Sequence, residues 1–311
     1  MKKTILFLFI ATIQFLYSQE TSSKIQSILP EIISQFPNVR DFTISPNQNE
    51  VYFTAQGYLG ELSTIIKTTK VDGKWTAPIV APFSGQYTDL EAMFSPDGLR
   101  LFFVSNRPKN NTNTEPKDQD IWYIKRSKVT SDWSAPINLG NPINTEGDEF
   151  YPSIARNGNL YFTSTGEGTK GKDDIFMSVW ENNTYSKPIS LSEAINSEGY
   201  EYNSYIAPDE SFLIFGAYQR KDGLGSGDLY ISRKSKDGSW SKATNLTATI
   251  NSDKMDYCPY YDQKTSTLYF TSKRTSIQQD FSKSRNLQQL LKLMHSYKNG
   301  LSRIYSASLK L

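Results

Sequence analysis

One cysteine and one histidine in 311 residues remove much chemistry at the outset. Cys258 has no second cysteine to pair with, so no internal disulfide can form and stability must come from packing. Zinc sites built from several His or Cys ligands are excluded. A Ser-His-Asp triad would have to use His295, which reads as a surface or packing residue. Charge of one sign is lacking too. The formal net charge is +2 and no block of Lys or Arg stands out, so there is no electrostatic footprint for nucleic acid. "TGEGTKGKDD" (165–174) is rich in Gly and Lys. It follows no phosphate-loop spacing and opens no predicted helix, and it reads as a hairpin loop.

Apolar length is short as well. "MKKTILFLFIATIQFLYSQE" places two lysines before an apolar run from Ile5 to Tyr17, then Ser18-Gln19. That is the order of a secretory signal over residues 1–18, and the run is too short for a comfortable membrane span. No cysteine near the cut offers a lipid anchor. The expectation is a periplasmic or secreted protein, not inserted in a membrane after signal cleavage, with one domain over residues 19–311.

Aromatic residues are abundant: 19 Tyr and 17 Phe. Such side chains pack well on pleated, half-buried surfaces. They fall into a repeat. "EVYFTA" (50–55), "RLFFVS" (100–105), "NLYFTS" (159–164), "FLIFGA" (212–217) and "TLYFTS" (267–272) align at a spacing close to that of a four-stranded propeller blade. A Pro/Asp/Asn/Gly turn precedes most copies, so each pairs with an earlier strand as a hairpin. A third strand follows ("DIWYIKR", 120–126, and its equivalents), then a fourth with a Trp or Tyr and usually Pro ("SDWSAPI", 131–137). Proline there fits an outer edge.

The fifth copy has no fourth strand of its own. After each outer strand comes a small signature, Phe83-Ser84, Ile143-Asn144, Ile195-Asn196 or Ile250-Asn251. Five residues past its second member stands an acid: Asp89, Glu149, Glu201 or Asp256. Ile33-Ser34 offers the same start before the first repeat, with Val39 in the acid's place and Asp41 two residues later. The segment before the first repeat therefore reads as a displaced outer strand that pairs with the last blade and closes the ring, removing open edges.

"FSPDGLRLFF" and "DIWYIKR" resemble the WD40-like, Pro-Asp-containing repeats of the TolB-type β-propeller family, over nearly all of the chain after residue 18. The expected fold is all-β: a β-propeller of four-stranded antiparallel blades, five by count, with six as the alternative because TolB-type propellers usually have six. The resemblance implies an interaction scaffold of the bacterial envelope, binding a protein partner or a cell-envelope glycan.

Loops sort by face. The Pro-Asp-Gly turns share one face and look structural. The acidic series and the long loops share the other, where binding residues usually sit. There Asp89, Glu149, Glu201 and Asp256 are expected near the channel mouth, with Arg107, Arg220 and Arg274 beside them, as a polar funnel for a cation, a sugar or a peptide amine. The competing expectation is that each carboxylate caps its own turn or pairs with a neighbouring arginine, a role needed in every blade. No residue is assigned a catalytic role and no cofactor is required, although Ca²⁺ is allowed by oxygen ligands near Asp118 and Asp120 or Asp173 and Asp174. The alternative to a binding module is a carboxylate-dependent glycoside hydrolase or lyase at the channel mouth, on fold-level analogy alone. Leu287, Leu290, Leu291 and Met294 follow helical spacing within an insertion near 280–300. They predict an amphipathic helix over the funnel face, packed on the rim or acting as a lid.

Overall fold

The aromatic repeats form strands because each presents a buried ring on both faces of a narrow sheet. Phe53, Phe103, Phe162, Phe215 and Phe270 are all buried at the aligned position of the second strand. The structure, a computed structural model, describes residues 24–109, 115–278, 280, 282 and 284–311. The signal-like segment 1–18 lies outside them.

Five antiparallel sheets follow one another along the chain. The inner strands are Asn38–Ile44, Asp89–Phe94, Glu149–Ile154, Glu201–Ile206 and Asp256–Asp262. Each pairs with the aromatic second strand, which pairs with a third, which meets a short outer strand. The inner strand of each blade packs against that of the next, and the fifth packs against the first, so the ring closes at five. Five apolar clusters fill the seams, one between each pair of neighbouring blades. Burial of these rings between sheets, rather than any covalent link, holds the circle.

The outer strands are shorter than the sequence suggests. Ile79–Val80, Ile137–Asn138, Ile189–Ser190 and Thr244–Asn245 pair with their third strands, and in blade one Lys74–Trp75 pairs with the far end of its third strand as well. In blades one to three a proline (Pro78, Pro136, Pro188) sits immediately before the paired residues, where its missing N–H interrupts no ladder. The signature asparagines explain themselves here. Asn144, Asn196 and Asn251 each accept from and donate to the backbone of Ile121, Ile175 and Leu229, tying the outer loop to the third strand.

Closure by the N-terminal segment holds, with a shift in the residues that do it. Gln26–Ser27 pairs with Arg303–Ser308 as the outer strand of blade five. Ile33 instead lies in a one-turn helix, α1 (Pro30–Ile33). Pro30 starts that turn, and Ile33 occupies the post-strand position held elsewhere by Ile143, Ile195 and Ile250. It packs in the cluster that contains Ile304. The Tyr297 hydroxyl donates toward the carbonyls of Ile28 and Ile304, spanning the join.

The insertion in blade five does form a helix, α2 (Leu287–Met294), capped by Asn286 and Gln289. It buries none of its residues, and Leu287, Leu290, Leu291 and Met294 stay largely exposed. The expectation of rim packing is therefore corrected: what docks this loop is Tyr297 and the pairing of Thr275 with Asn299, outside the helix.

A chain starting at residue 30 is expected to leave the Arg303–Ser308 edge unpaired. Thermal denaturation with light scattering should show a lower midpoint and earlier aggregation than the full chain. An unchanged midpoint would show that the latch contributes nothing.

Candidate functional site at the axis

The site begins with a backbone irregularity repeated five times. Each inner strand carries a bulge, between Arg40/Thr43, Leu90/Met93, Phe150/Ser153, Tyr202/Tyr205 and Tyr257/Tyr260. Inside each bulge one non-glycine residue has positive φ: Asp41, Glu91, Tyr151, Asn203 and Cys258. The left-handed conformation costs roughly 1–2 kcal/mol for such residues, and bulges re-aim side chains. All five are buried, and together they form a polar ring at the axis.

Arg40 centres that ring. Its Nε donates to Asp41 Oδ1 at 2.8 Å and its Nη2 to Glu91 Oε1 at 2.6 Å. Nη2 also approaches Cys258 Sγ at 3.4 Å, and the guanidinium lies 5.3 Å from the Tyr257 ring centre. Asn203 Nδ2 donates to Glu91 Oε1 at 3.3 Å, while the Tyr151 N–H donates to Oε2 at 2.7 Å. The Cys258 thiol points to Asn203 Oδ1 at 3.4 Å. The Tyr151 hydroxyl crosses from blade three to the Pro259 carbonyl in blade five at 3.0 Å. This ring is a floor, so the channel is a cup and not an open pore.

The cup opens on the loop face with a volume of about 290 Å³. Phe150, Tyr202, Tyr257 and Met255 form apolar walls, and Arg40, Glu91, Asn203 and Asp173 supply the polar groups. The Tyr202 hydroxyl is buried and makes no hydrogen bond. Burial pushes the Glu91 carboxyl up, to about 7, against the pull of Arg40, and the charge of the neighbouring Asp41 adds to the rise. Burial likewise raises the Cys258 thiol well above its ordinary range. A second depression of about 200 Å³ lies on the turn face, lined by Tyr205, Tyr260 and Tyr261 among others.

The residues expected at the channel mouth lie elsewhere. Asp89, Glu149, Glu201 and Asp256 are completely buried and are not among the residues that line the cup. Asp89 accepts from Ser84 Oγ (2.8 Å) and Arg107 Nη2 (2.6 Å). Glu201 accepts from the Ser197 N–H, its hydroxyl and Arg220. Asp256 accepts from Ser252 in the same way and from Arg274. The same arginines reach the Phe83, Ile195 and Ile250 carbonyls and stack on Phe103 and Trp122, Phe215 and Tyr230, or Phe270 and Tyr305. Turn capping and arginine pairing, the competing expectation, describe this geometry. The arrangement latches each outer loop to the head of the next inner strand.

Glu149 departs from the series. It accepts from the Thr145 N–H and hydroxyl at 3.1 and 2.7 Å, and Gly166 stands where an arginine stands in blades two, four and five. Burial pushes its carboxyl from 4.5 to about 7. The two Thr145 hydrogen bonds pull it back only in part, and Asp120 and Asp118 push upward. The Asp residues before the third strands cap their own loops. Asp120 accepts from Asn138 and Lys109, Asp174 from Lys170, Gly171 and Ser190, and Asp228 from Leu224 and Gly225. Among the described residues no group of three or more His, Cys, Asp or Glu side chains could hold a metal.

The cup residues were missed because the acid two positions earlier recurs and they do not. Aligned from that acid, the axial position reads Asp41, Glu91, Tyr151, Asn203, Cys258. A polar position that varies inside an otherwise regular repeat was the available signal.

No known family profile matches the sequence, and no curated protein matches it in sequence. Solved structures do match in fold. The α-L-arabinofuranosidase PaAbf62A from Podospora anserina aligns with a TM-score of 0.50 at 14% identity, covering 88% of this chain and 91% of that one. A putative TolB from Agrobacterium tumefaciens gives 0.49, also at 14% identity, over 88% and 91%. TolB from Acinetobacter baumannii gives 0.46 at 12% identity over 87% of this chain, which spans about half, 54%, of that protein. The chain is a five-bladed propeller, and TolB-type propellers are among its structural neighbours. Identity this low speaks to fold alone.

The raised carboxyls of Glu91 and Glu149 make stability depend on pH with a definite sign. Each binds its proton more tightly folded than unfolded, so its protonated form favours the fold. Stability should fall as pH rises from about 4.5 to about 7. Glu149→Gln removes its share, on the order of 3 kcal/mol at most. The urea midpoint of the variant relative to the parent should rise across that window. A constant difference from pH 4.5 to 7 would contradict the assignment.

Proposed function

We propose that the protein is an exported binding module that captures a sugar unit of a cell-envelope glycan in the axial cup of its loop face. The carrying observation is the cup itself: aromatic walls from Phe150, Tyr202 and Tyr257 above a floor of Arg40, Glu91 and Asn203. Its volume lies near the lower end of small-molecule sites, about 300 Å³, and it supplies apolar faces for a sugar ring together with donors and acceptors for its hydroxyls. The fold is compatible with oligosaccharides, because the arabinofuranosidase named above was solved in complex with cellotriose. Export rests on the signal-like order of residues 1–18; among the described residues no helix is long and apolar enough to cross a membrane.

Glu91 and Asp173 are the carboxylates that line the cup, and the high-lying Glu91 carboxyl favours a hydrolase as the second reading. Against it, both Glu91 oxygens are already engaged, by Arg40, Asn203 and the Tyr151 N–H. That suits holding a ligand better than moving a proton.

Asp173→Asn separates ligand binding from folding. Loss of the charge on this half-buried cup carboxylate should leave the thermal midpoint unchanged or higher, because burial and the neighbouring Asp174 and Glu201 disfavour that charge, while calorimetric affinity for the glycan that binds best in an envelope panel falls about tenfold. Equal affinity in variant and parent would count against the cup. Cleavage of a glycan that Glu91→Gln abolishes while affinity survives would establish the hydrolase. Binding of an envelope protein, and no glycan, would replace the glycan reading.

A further inference from the structure

The acid–arginine latch is complete in three blades and half-complete in one. In blades two, four and five an arginine lies between an aromatic pair and a buried acid, and also reaches the carbonyl of the signature residue. Blade one has lost both charges together, with Val39 and Gly57 at the two positions. Blade three has lost only the arginine. It keeps the acid Glu149, the Thr145 clamp and the aromatic pair Phe162 and Phe176, whose ring centres lie 6.0 Å apart. It also keeps the serine. The Gly166 N–H donates to Ser164 Oγ at 3.0 Å, as the N–H groups of Arg107 and Arg274 donate to Ser105 and Ser272 at 3.2 and 3.1 Å. In those two blades the same serine oxygen accepts from the arginine Nε. In place of a guanidinium, blade three holds a cavity of about 300 Å³ lined by Ile143, Thr145, Phe162, Ser164, Gly166 and Phe176.

We propose that this cavity receives an arginine side chain from a partner protein, which completes the blade-three latch in trans. The incoming guanidinium takes the place that Arg107, Arg220 and Arg274 take in their own blades: against Phe162 and Phe176, within reach of the Ile143 carbonyl, and toward Glu149, which is fully buried and meets the cavity through the hydroxyl of the lining residue Thr145. Blade four shows that a glutamate at this position accepts from its clamp residue and from an arginine together, since Ser197 and Arg220 both donate to Glu201 Oε1. Planar, bidentate and stacking recognition of this kind favours Arg over Lys, and a guanidinium brings to Glu149 the positive charge its surroundings lack. The occupant is a residue within a chain because the apolar rim, Pro142 and Pro188, suits a passing backbone. The rim's one lysine, Lys187, faces Glu167 at 4.0 Å and is not held for an α-carboxylate. The site shares no lining residue with the axial cup, so it stands or falls apart from the glycan reading.

The test titrates the full chain with the peptide acetyl-Gly-Ser-Arg-Ser-Gly-amide, its lysine and citrulline counterparts, and free arginine, by calorimetry. The arginine peptide should bind, with the citrulline and lysine peptides and free arginine each weaker by at least about tenfold. Gly166→Arg supplies the missing side chain in cis. Gly166 is outside the left-handed region, and its added Cβ would meet only Ser164 Oγ at 3.2 Å and Thr145 Oγ1 at 3.7 Å, as Arg107 and Arg274 sit beside Ser105 and Ser272. That variant should melt a few degrees higher and lose peptide binding. Glu149→Gln, which keeps the Thr145 acceptor, should weaken the peptide by at least about tenfold and decides the matter if Gly166→Arg does not fold. Equal binding of arginine and citrulline peptides, undiminished binding by either variant, or no binding of the arginine peptide would overturn the proposal. Lysine binding as well as arginine would overturn the guanidinium assignment, and free arginine binding as well as the peptide would overturn the protein partner.

Discussion

Four of the five blades share one contact at the axis: the N–H of a left-handed bulge residue, donated sideways to a neighbouring blade. Asp41 donates to Thr271 Oγ1, Glu91 to Thr54 Oγ1 and Asn203 to Thr163 Oγ1, each reaching the second strand of the blade before it. In blade two that threonine position is Val104, and the Tyr151 N–H turns instead to the Glu91 carboxylate. The bulge costs backbone energy at five places. Hydrogen bonds across the seams and the packing of aromatic clusters offset it. One consequence is functional: an unbulged strand would point alternate side chains regularly to its two faces, whereas these five converge on the axis and close the channel.

Two sets of acids therefore do different work within a few residues of each other. The acids at the strand heads are repeated because each blade needs the same loop fastened to the same strand. An arginine and a hydroxyl residue satisfy Asp89, Glu201 and Asp256, whereas Glu149 is held by Thr145 alone. The axial residues have no such shared task. They differ from blade to blade, and only one, Glu91, is met by donors from three other blades. Strain and unlike polar groups gathered in a cup mark a site more clearly than a recurring charge does.

Much of this fold could be read from residues alone, because a propeller repeats itself. The aligned phenylalanines, the Pro-Asp turns and the Ile-Asn signature pointed to five blades, with six left open, and to the N-terminal closure. The register of closure slipped from Ile33 to Gln26–Ser27 because two-residue outer strands carry almost no pattern. Proline marks where such a strand begins, not how far it pairs. The bulges were invisible, since none of Asp41, Glu91, Tyr151, Asn203 and Cys258 is a glycine that would announce positive φ. Without them the strand-head acids were the natural choice for the funnel. Helix α2 was legible from its apolar spacing, but that spacing does not say whether the apolar side is covered.

Cys258, the only thiol in the chain, reports directly on the closed axis. It is fully buried, between Arg40 and Asn203. The decisive measurement is its rate of labelling by a neutral aromatic disulfide reagent as a function of urea. If the polar ring is the floor of a closed propeller, labelling in buffer should proceed only through global unfolding, with the same urea dependence as loss of the fold. Rapid labelling of the folded protein, independent of urea, would show an open channel and contradict the account.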